Sequence, residues 1–301
     1  MKKIVKDMHG NDYVLKRKDR IDGKYIPVDG VLRLITYLKD REDADVYINK
    51  QIDATNLIEY MNKKKKKNPD ITYFHALAMA MAKTVYNRPK LNRFIVNHDC
   101  YEKFDVSLSF VAKVNYGDND KEFLQLLNVE RTDKIDDISR KIKERVNKLR
   151  QGKMNDTDKD VNVLDKLPKP ILGIVVWFLK KLDKHGKLPK SLASNLIYNS
   201  TMILSNLGSI HCGAIYHNIT DFGTNGILVT FGEIKKVPMV IDGKVVPRDV
   251  IEIGATLDER IADGVYMSKS INLIEHILTH PELLEEDACE EIKETKPFHY
   301  E

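Results

Sequence analysis

The sequence predicts an α/β (α+β) domain, because its apolar residues recur with two different periods along one chain. Asp45-Val46-Tyr47-Ile48-Asn49-Lys50-Gln51-Ile52 alternates as a strand does, whereas Ile135, Ile138, Ile142, Val146 and Leu149 step by three and four, as on one face of a helix. The two patterns are interleaved along the chain, as in an α/β or α+β domain. With 301 residues, 42% of them hydrophobic, the chain buries a sizeable core, and residues 1–301 are read as one domain.

Taken in order, residues 1–28 are polar and basic. Asp29-Gly30 then opens a helix whose apolar positions Val31, Leu34, Ile35 and Leu38 share one face, as core packing requires. After the strand at 45–52, Asp53 and Thr55 are candidate caps for a helix carrying Leu57, Ile58 and Met61 into the lysine run 63–67, a solvated helix end. Thr72 caps a second helix, 73–86, which stops before Pro89. Its His75 has no partner histidine at helical spacing and reads as structural. Residues 94–96 and 100–102 form a hairpin about Asn97-His98-Asp99, followed by strands over 106–114 and 122–130 and by the helix over 135–149.

Residues 155–199 break this rhythm and are read as a helical insertion. Pro168-Lys169-Pro170 introduces the most apolar run in the chain, Ile171 to Leu179, followed by Lys180, Lys181, Lys184, Lys187 and Lys190. The run is too short to span a bilayer. A buried helical hairpin, a lid over an acyl-chain site and a helix lying in a membrane surface through 168–190 are the three readings. Strands return at 200–204 and 227–232, with a hairpin over 240–246 turning at Asp242-Gly243. The final helix uses Met267, Ile271, Ile274 and Leu278.

The bulk numbers exclude several classes. A formal charge of +4, from 49 basic against 45 acidic residues, gives no nucleic-acid signal. Cys100, Cys212 and Cys289 lie far apart, which gives no disulfide framework and no zinc pattern, so no metal is expected and a reducing cytoplasm fits. Nothing resembles a signal peptide. The most chemically loaded stretch is Thr256-Leu257-Asp258-Glu259-Arg260-Ile261-Ala262-Asp263-Gly264, where the alternating run 250–255 hands over to the last helix. It reads either as a salt-bridged turn or as a catalytic junction.

Four segments in sequence order carry a resemblance: Gln51-Ile52-Asp53-Ala54-Thr55-Asn56-Leu57, Arg88-Pro89-Lys90-Leu91-Asn92, Ile203-Leu204-Ser205-Asn206-Leu207-Gly208, and Asp258 to Gly264. Through them residues 20–285 resemble the catalytic domain of the 2-oxoacid dehydrogenase acyltransferases and, more distantly, chloramphenicol acetyltransferase. The resemblance implies a chloramphenicol acetyltransferase-like mixed sheet flanked by helices, as a free-standing core without lipoyl modules. It also implies a homotrimer with each active site between two subunits, and transfer of an acyl group from a coenzyme A thioester to a thiol or hydroxyl. Coenzyme A is then a substrate, and no bound cofactor is expected. In that family a histidine takes the acceptor's proton and a serine hydroxyl bonds the oxyanion. Ser205 matches the serine, with Asn206 and Gly208 beside it. Asp263 and Gly264 match the Asp-Gly behind the histidine, an orienting aspartate usually paired with an arginine, for which Arg20 and Arg41 are the candidates. Arg260 is retained from the motif as a substrate contact.

The departure is at the centre of the motif, where Glu259 replaces the histidine. An unperturbed Glu (~4.3) must lift a proton from a thiol (~8.5) over about 5.7 kcal/mol, against about 2.7 for a His at ~6.5. The deficit of about 3 kcal/mol is on the order of a hundredfold in rate. An ionised Glu also repels the oxyanion by ~4 kcal/mol at 4 Å and an effective dielectric of 20; burial recovers part of the first deficit. Three readings follow. Glu259 is a tuned base; or His217, or His211 with Cys212 as an acyl-carrying nucleophile, does the work; or the chain is a non-catalytic trimeric scaffold. The acidic tail from Glu285 lacks the apolar end that holds large assemblies in the family, so a trimer is expected.

Overall fold

The computed structural model describes residues 3–113, 122–151, 166–188 and 197–293. Its strands are β1 (Ile4–Lys6), β2 (Asp12–Val14), β3 (Gly23–Ile26), β4 (Asp45–Asp53), β5 (Arg93–Val96), β6 (Asp99–Lys103), β7 (Val106–Lys113), β8 (Glu122–Val129), β9 (Met202–Asn206), β10 (Ile227–Phe231), β11 (Lys235–Ile241) and β12 (Lys244–Asp258). Its helices are α1 (Gly30–Leu38), α2 (Thr55–Lys67), α3 (Tyr73–Asn87), α4 (Ile135–Arg150), α5 (Lys169–Lys184) and α6 (Gly264–Thr279).

The main sheet runs β11-β12-β10-β9-β7-β8, and β4 also pairs with β12. It is mixed: β9 lies parallel to both β10 and β7, and the other pairings are antiparallel. Every residue of β10 (Ile-Leu-Val-Thr-Phe) is buried, the continuous apolar run of a central strand. The long β12 pairs in succession with β11 up to Val250 and with β10 from Ile253 to Leu257, while β4 pairs with it from Val250 to Asp258 on the opposite edge. A smaller antiparallel sheet, β3-β6-β5, and the β1-β2 hairpin complete the strands. The Asp242-Gly243 turn has both residues at positive φ (49° and 75°), as a tight hairpin between right-twisted strands demands.

The core lies where α3 packs between the main sheet and α4 and α6. Residues His75 to Val85 of α3 are all buried, and their Ala and Met side chains let a helix be enclosed on every side. His75 is indeed structural: its Nδ1 accepts from the Thr72 amide at 3.3 Å, and burial pushes its imidazole down to about 4. Lys83, fully buried in the same helix, reaches Glu286 (3.2 Å) and the Asp287 carbonyl (2.8 Å) and so ties down the chain beyond α6.

Two expectations are corrected. The apolar face of α1 does not enter the core: Val31, Leu34 and Leu38 are 72%, 57% and 70% exposed, and Thr36 is the one buried residue of the helix. Periodicity marks an apolar face but does not say what covers it. Nor is the 155–199 segment a buried hairpin as far as it is described. Ile171, Ile174, Trp177 and Phe178 of α5 are exposed, and the helix is held at its C-terminal end, where Asp183 meets Arg20. The second arm of the expected hairpin falls largely on 189–196, outside the described residues.

Candidate active site

Strand β10 is the ruler of the site. On one side Thr230 is level with Ser205 of β9, and on the other β12 runs antiparallel until the Asp258 amide donates to the Gly226 carbonyl at 3.0 Å. Ser205 and Asp258 are therefore offset by four residues of β10, about 13 Å at ~3.3 Å per residue. Glu259 lies one residue further on. Within one chain the expected oxyanion donor and the expected base stand at opposite ends of the same strand.

At the first end, the Ser205 hydroxyl makes no hydrogen bond among the described residues and is half-buried. Asn206 ends β9, and its carbonyl accepts from Ser209 Oγ at 2.8 Å. Gly208 is obligatory by contact, since a Cβ there would lie 2.8 Å from the Gly232 carbonyl. Immediately beyond, His211 turns into the left-handed region (φ 57°) and its Nδ1 pairs with Glu233 at 2.8 Å, in a largely exposed position. That pairing faces the ring towards Glu233, and Cys212 is exposed, so the two do not form a nucleophile-base couple among the described residues.

The chain from Cys212 to Ile219 then crosses the face of the sheet. Ile215 is held on Thr230 and passes over Gly254, where a Cβ would lie 2.7 Å from the Ile215 carbonyl; Asn218 meets Tyr47 at 2.9 Å, and the Ile219 amide reaches Asp45. His217 rides on this crossing, exposed, with Nδ1 at 2.8 Å from the Asn218 carbonyl. It is thus carried away from Ser205, towards the Asp45–Asp258 level of the sheet.

At the second end, Asp258 and Arg260 form a buried bidentate pair, Nε to Oδ1 and Nη2 to Oδ2 both at 2.8 Å. Burial opposes charge on Arg260, but the hydrogen bond and charge of Asp258 outweigh it and hold the guanidinium above its ordinary value. Arg260 is committed to holding the turn, which leaves less of it for a substrate. The Glu259 amide donates to Ala44, and its carboxylate, partly exposed, is bonded by the ammonium of Lys39 at the end of α1. Asp263 is the N-cap of α6: Oδ1 accepts from the Tyr266 amide at 2.8 Å. This bond first, and then the nearby Lys90, keep its carboxyl below the usual range.

The expected arginine partner of Asp263 is neither Arg20 nor Arg41. Arg20 pairs with Asp22 (2.8 Å) and Asp183, Arg41 donates to the Gly223 carbonyl (2.7 Å), and the cation near Asp263 is Lys90, at 3.6 Å. Gly264 opens α6 with free space where a Cβ would stand. Around this end lies a cavity of about 470 Å3, lined among others by Lys39, Arg41, His98, Lys184 and Arg260. Lys39 and His98 went unmarked in the sequence, for a helix end and a hairpin turn carry no motif.

Residues 180–285 match the profile of the 2-oxoacid dehydrogenases acyltransferase catalytic domain. A relative, the lipoamide acyltransferase component of the branched-chain alpha-keto acid dehydrogenase complex of Bacillus subtilis (strain 168), is 20% identical over 264 residues, 85% of this chain. The chain spans about half of that protein's length, 52%. A probable dihydrolipoamide acetyltransferase from Listeria monocytogenes superposes with a TM-score of 0.58 at 19% identity, over 85% of this chain and 94% of that one. A chloramphenicol acetyltransferase gives a TM-score of 0.50 at 13% identity, over 85% and 99%. The chain therefore has the chloramphenicol acetyltransferase-like fold of these acyltransferases, and its 180–285 segment matches their catalytic domain.

Proposed function

We propose that this protein transfers an acyl group between a coenzyme A thioester and a thiol or hydroxyl acceptor, with Glu259 as proton acceptor and Ser205 as oxyanion donor. One observation supports the reading: Ser205 has a hydroxyl without a hydrogen bond among the described residues at one end of β10, while at the other Glu259 is bonded by Lys39, which lines a cavity. Glu259 lies one residue beyond the level of Asp258, itself about 13 Å along the sheet from Ser205, too far for the two to share a site within one chain and compatible with a site between two subunits. A homotrimer, in which Ser205 of one copy faces Glu259 of the next, is the arrangement proposed. The open apolar face of α1 supports association of copies.

In the proposed step the Glu259 carboxylate takes the acceptor's proton as its sulfur or oxygen attacks the thioester carbonyl. The Ser205 hydroxyl donates to the oxyanion, and on collapse the departing coenzyme A thiolate takes the proton back from Glu259. Lys39 holds the carboxylate in place and offsets part of its repulsion of the oxyanion. His217 is the alternative base, its Nδ1 tied to a backbone carbonyl.

Thiol release from acetyl-CoA, followed with a panel of thiol and hydroxyl acceptors, tests the reading. Turnover should vanish in Glu259→Gln and in Ser205→Ala and return when the two variants are co-assembled. Activity that survives Glu259→Gln but not His217→Ala would move the base to His217. No turnover with any acceptor would favour the non-catalytic trimeric scaffold, for which the engagement of Glu259 by Lys39 is the supporting observation.

A membrane surface is proposed as a further partner of α5. Its exposed stripe Ile171, Ile174, Trp177 and Phe178 lies beside exposed Lys180, Lys181 and Lys184, and its only acid, Asp183, is buried. An apolar stripe next to lysines suits an anionic lipid surface. Among the described residues no helix is long and apolar enough to cross a bilayer.

A further inference from the structure

The cavity lined by Lys39 and Arg260 opens between the end of α1, the β5–β6 turn, α5 and residues 221–223. Half of the charged side chains on its wall are matched within the chain. Arg260 is spent on Asp258, Lys180 on Asp221 (3.0 Å), Asp183 on Arg20 (3.6 Å), and Lys39 on Glu259. Arg41 is the buried charge on this wall that has no ion partner among the described residues. It is 9% exposed, its one hydrogen bond among the described residues runs from Nη1 to the Gly223 carbonyl, and its Nε–H is buried with no acceptor.

That position is built. Gly223 stands at φ 89°, and a Cβ there would lie 2.3 Å from the Tyr198 carbonyl, so the backbone that offers its carbonyl to Arg41 accepts only glycine. A guanidinium carries five N–H donors and keeps its charge in proteins, and a buried one is normally met by a carboxylate. Here Asp258, Asp221 and Asp183 act on it only at longer range, each serving another base. The Nε–H is sealed even from the cavity, whereas the Nη2 group makes no hydrogen bond among the described residues and is not sealed, so it is the donor that an acceptor in the cavity would meet. Lys184, without an ion partner among the described residues, lines the same cavity. Asp40, Glu42 and Asp43 are exposed on it and disfavour a polyanion.

We infer that this cavity binds a small ligand through a single carboxylate or phosphate group, gripped by the Arg41 guanidinium and the Lys184 ammonium. Its volume lies in the range of small-molecule sites. Binding of this kind requires neither Ser205 nor turnover, so it stands whether or not the protein transfers acyl groups.

Titration calorimetry on the whole protein with succinate and, separately, with inorganic phosphate tests it, with succinamide as the uncharged control. One anion should bind with a Kd of about 1 mM or tighter while succinamide does not, and Arg41→Gln and Lys184→Gln should each weaken it about tenfold or more. Preference for succinate assigns the site to carboxylates, and preference for phosphate to phosphate esters. Should Arg41→Gln fail to fold, Lys184→Gln, on an exposed side chain, decides. Binding of neither anion, or binding that both substitutions leave unchanged, overturns the inference.

Discussion

The ammonium of Lys39 is bonded to the carboxylate of Glu259, across 220 positions of sequence. The contact joins the end of α1 to the junction between β12 and α6, where a cation holds the carboxylate. If Glu259 is the base, Glu259→His should raise thiol acyl transfer by about a hundredfold, the rate equivalent of the ~3 kcal/mol between the two side chains as proton acceptors. Steady-state kcat with a thiol acceptor reads this. A rate that falls on installing histidine would remove the base role from this position.

Lys39→Met should lower kcat without unfolding the protein, because the carboxylate loses its aim while α1 keeps its other attachments through Thr36 and His98. A loss of about tenfold is expected, the usual scale of a positioning effect short of losing the base itself.

Ser205→Ala should cost about 10² to 10³ in kcat, as removal of one oxyanion donor does elsewhere. Its melting temperature should stay at the wild-type value, since the hydroxyl makes no hydrogen bond among the described residues. A large thermal shift would make Ser205 structural.

Asp258→Ala removes one partner of a buried bidentate pair and leaves Arg260 uncompensated. The expected loss is about 3 to 5 kcal/mol in urea unfolding. Asp263→Ala, a helix cap on an exposed residue, should cost only about 1 kcal/mol.

His75 gives a pH dependence. Burial holds its folded value at about 4, below the ordinary 6.5, so between these values the unfolded chain binds the proton and the folded chain does not. Stability is therefore full above the unfolded value and falls as pH drops from 6.5 towards 4, by up to about 3 kcal/mol from this residue. Denaturation midpoints across that window should flatten in His75→Gln.

Liposome co-sedimentation checks the α5 surface. Binding is expected to vesicles containing phosphatidylglycerol, weakened by salt and lost in Trp177→Ser/Phe178→Ser, and absent with neutral phosphatidylcholine. Binding that ignores lipid charge would sink the electrostatic part of the reading.

Much of the fold was legible because it rests on local patterns. The alternation of β4, the Asp-Gly turn between β11 and β12 and the three-and-four spacing of α4 each follow from a side-chain period or a turn residue. The candidate site was legible only in part. Ser205, Glu259 and Asp263 stand in motifs, whereas Lys39 and His98 reach the cavity from an unmarked helix end and a hairpin turn, and Arg41, expected at Asp263, lines the cavity instead. The cation expected to be an arginine at Asp263 proved to be Lys90, because Arg20 and Arg41 are held by Asp22, Asp183 and Gly223.

By itself the sequence determined most of the elements, their order and the charged stretch from Asp258 to Gly264, since periodicity, capping and turn chemistry act within a few residues. Only the tertiary structure decided that Ser205 and Glu259 lie at opposite ends of β10, that Lys39 takes the Glu259 carboxylate, and that the apolar faces of α1 and α5 stay open. Those outcomes depend on strand register and on which side chains meet across hundreds of positions, and no local pattern encodes either.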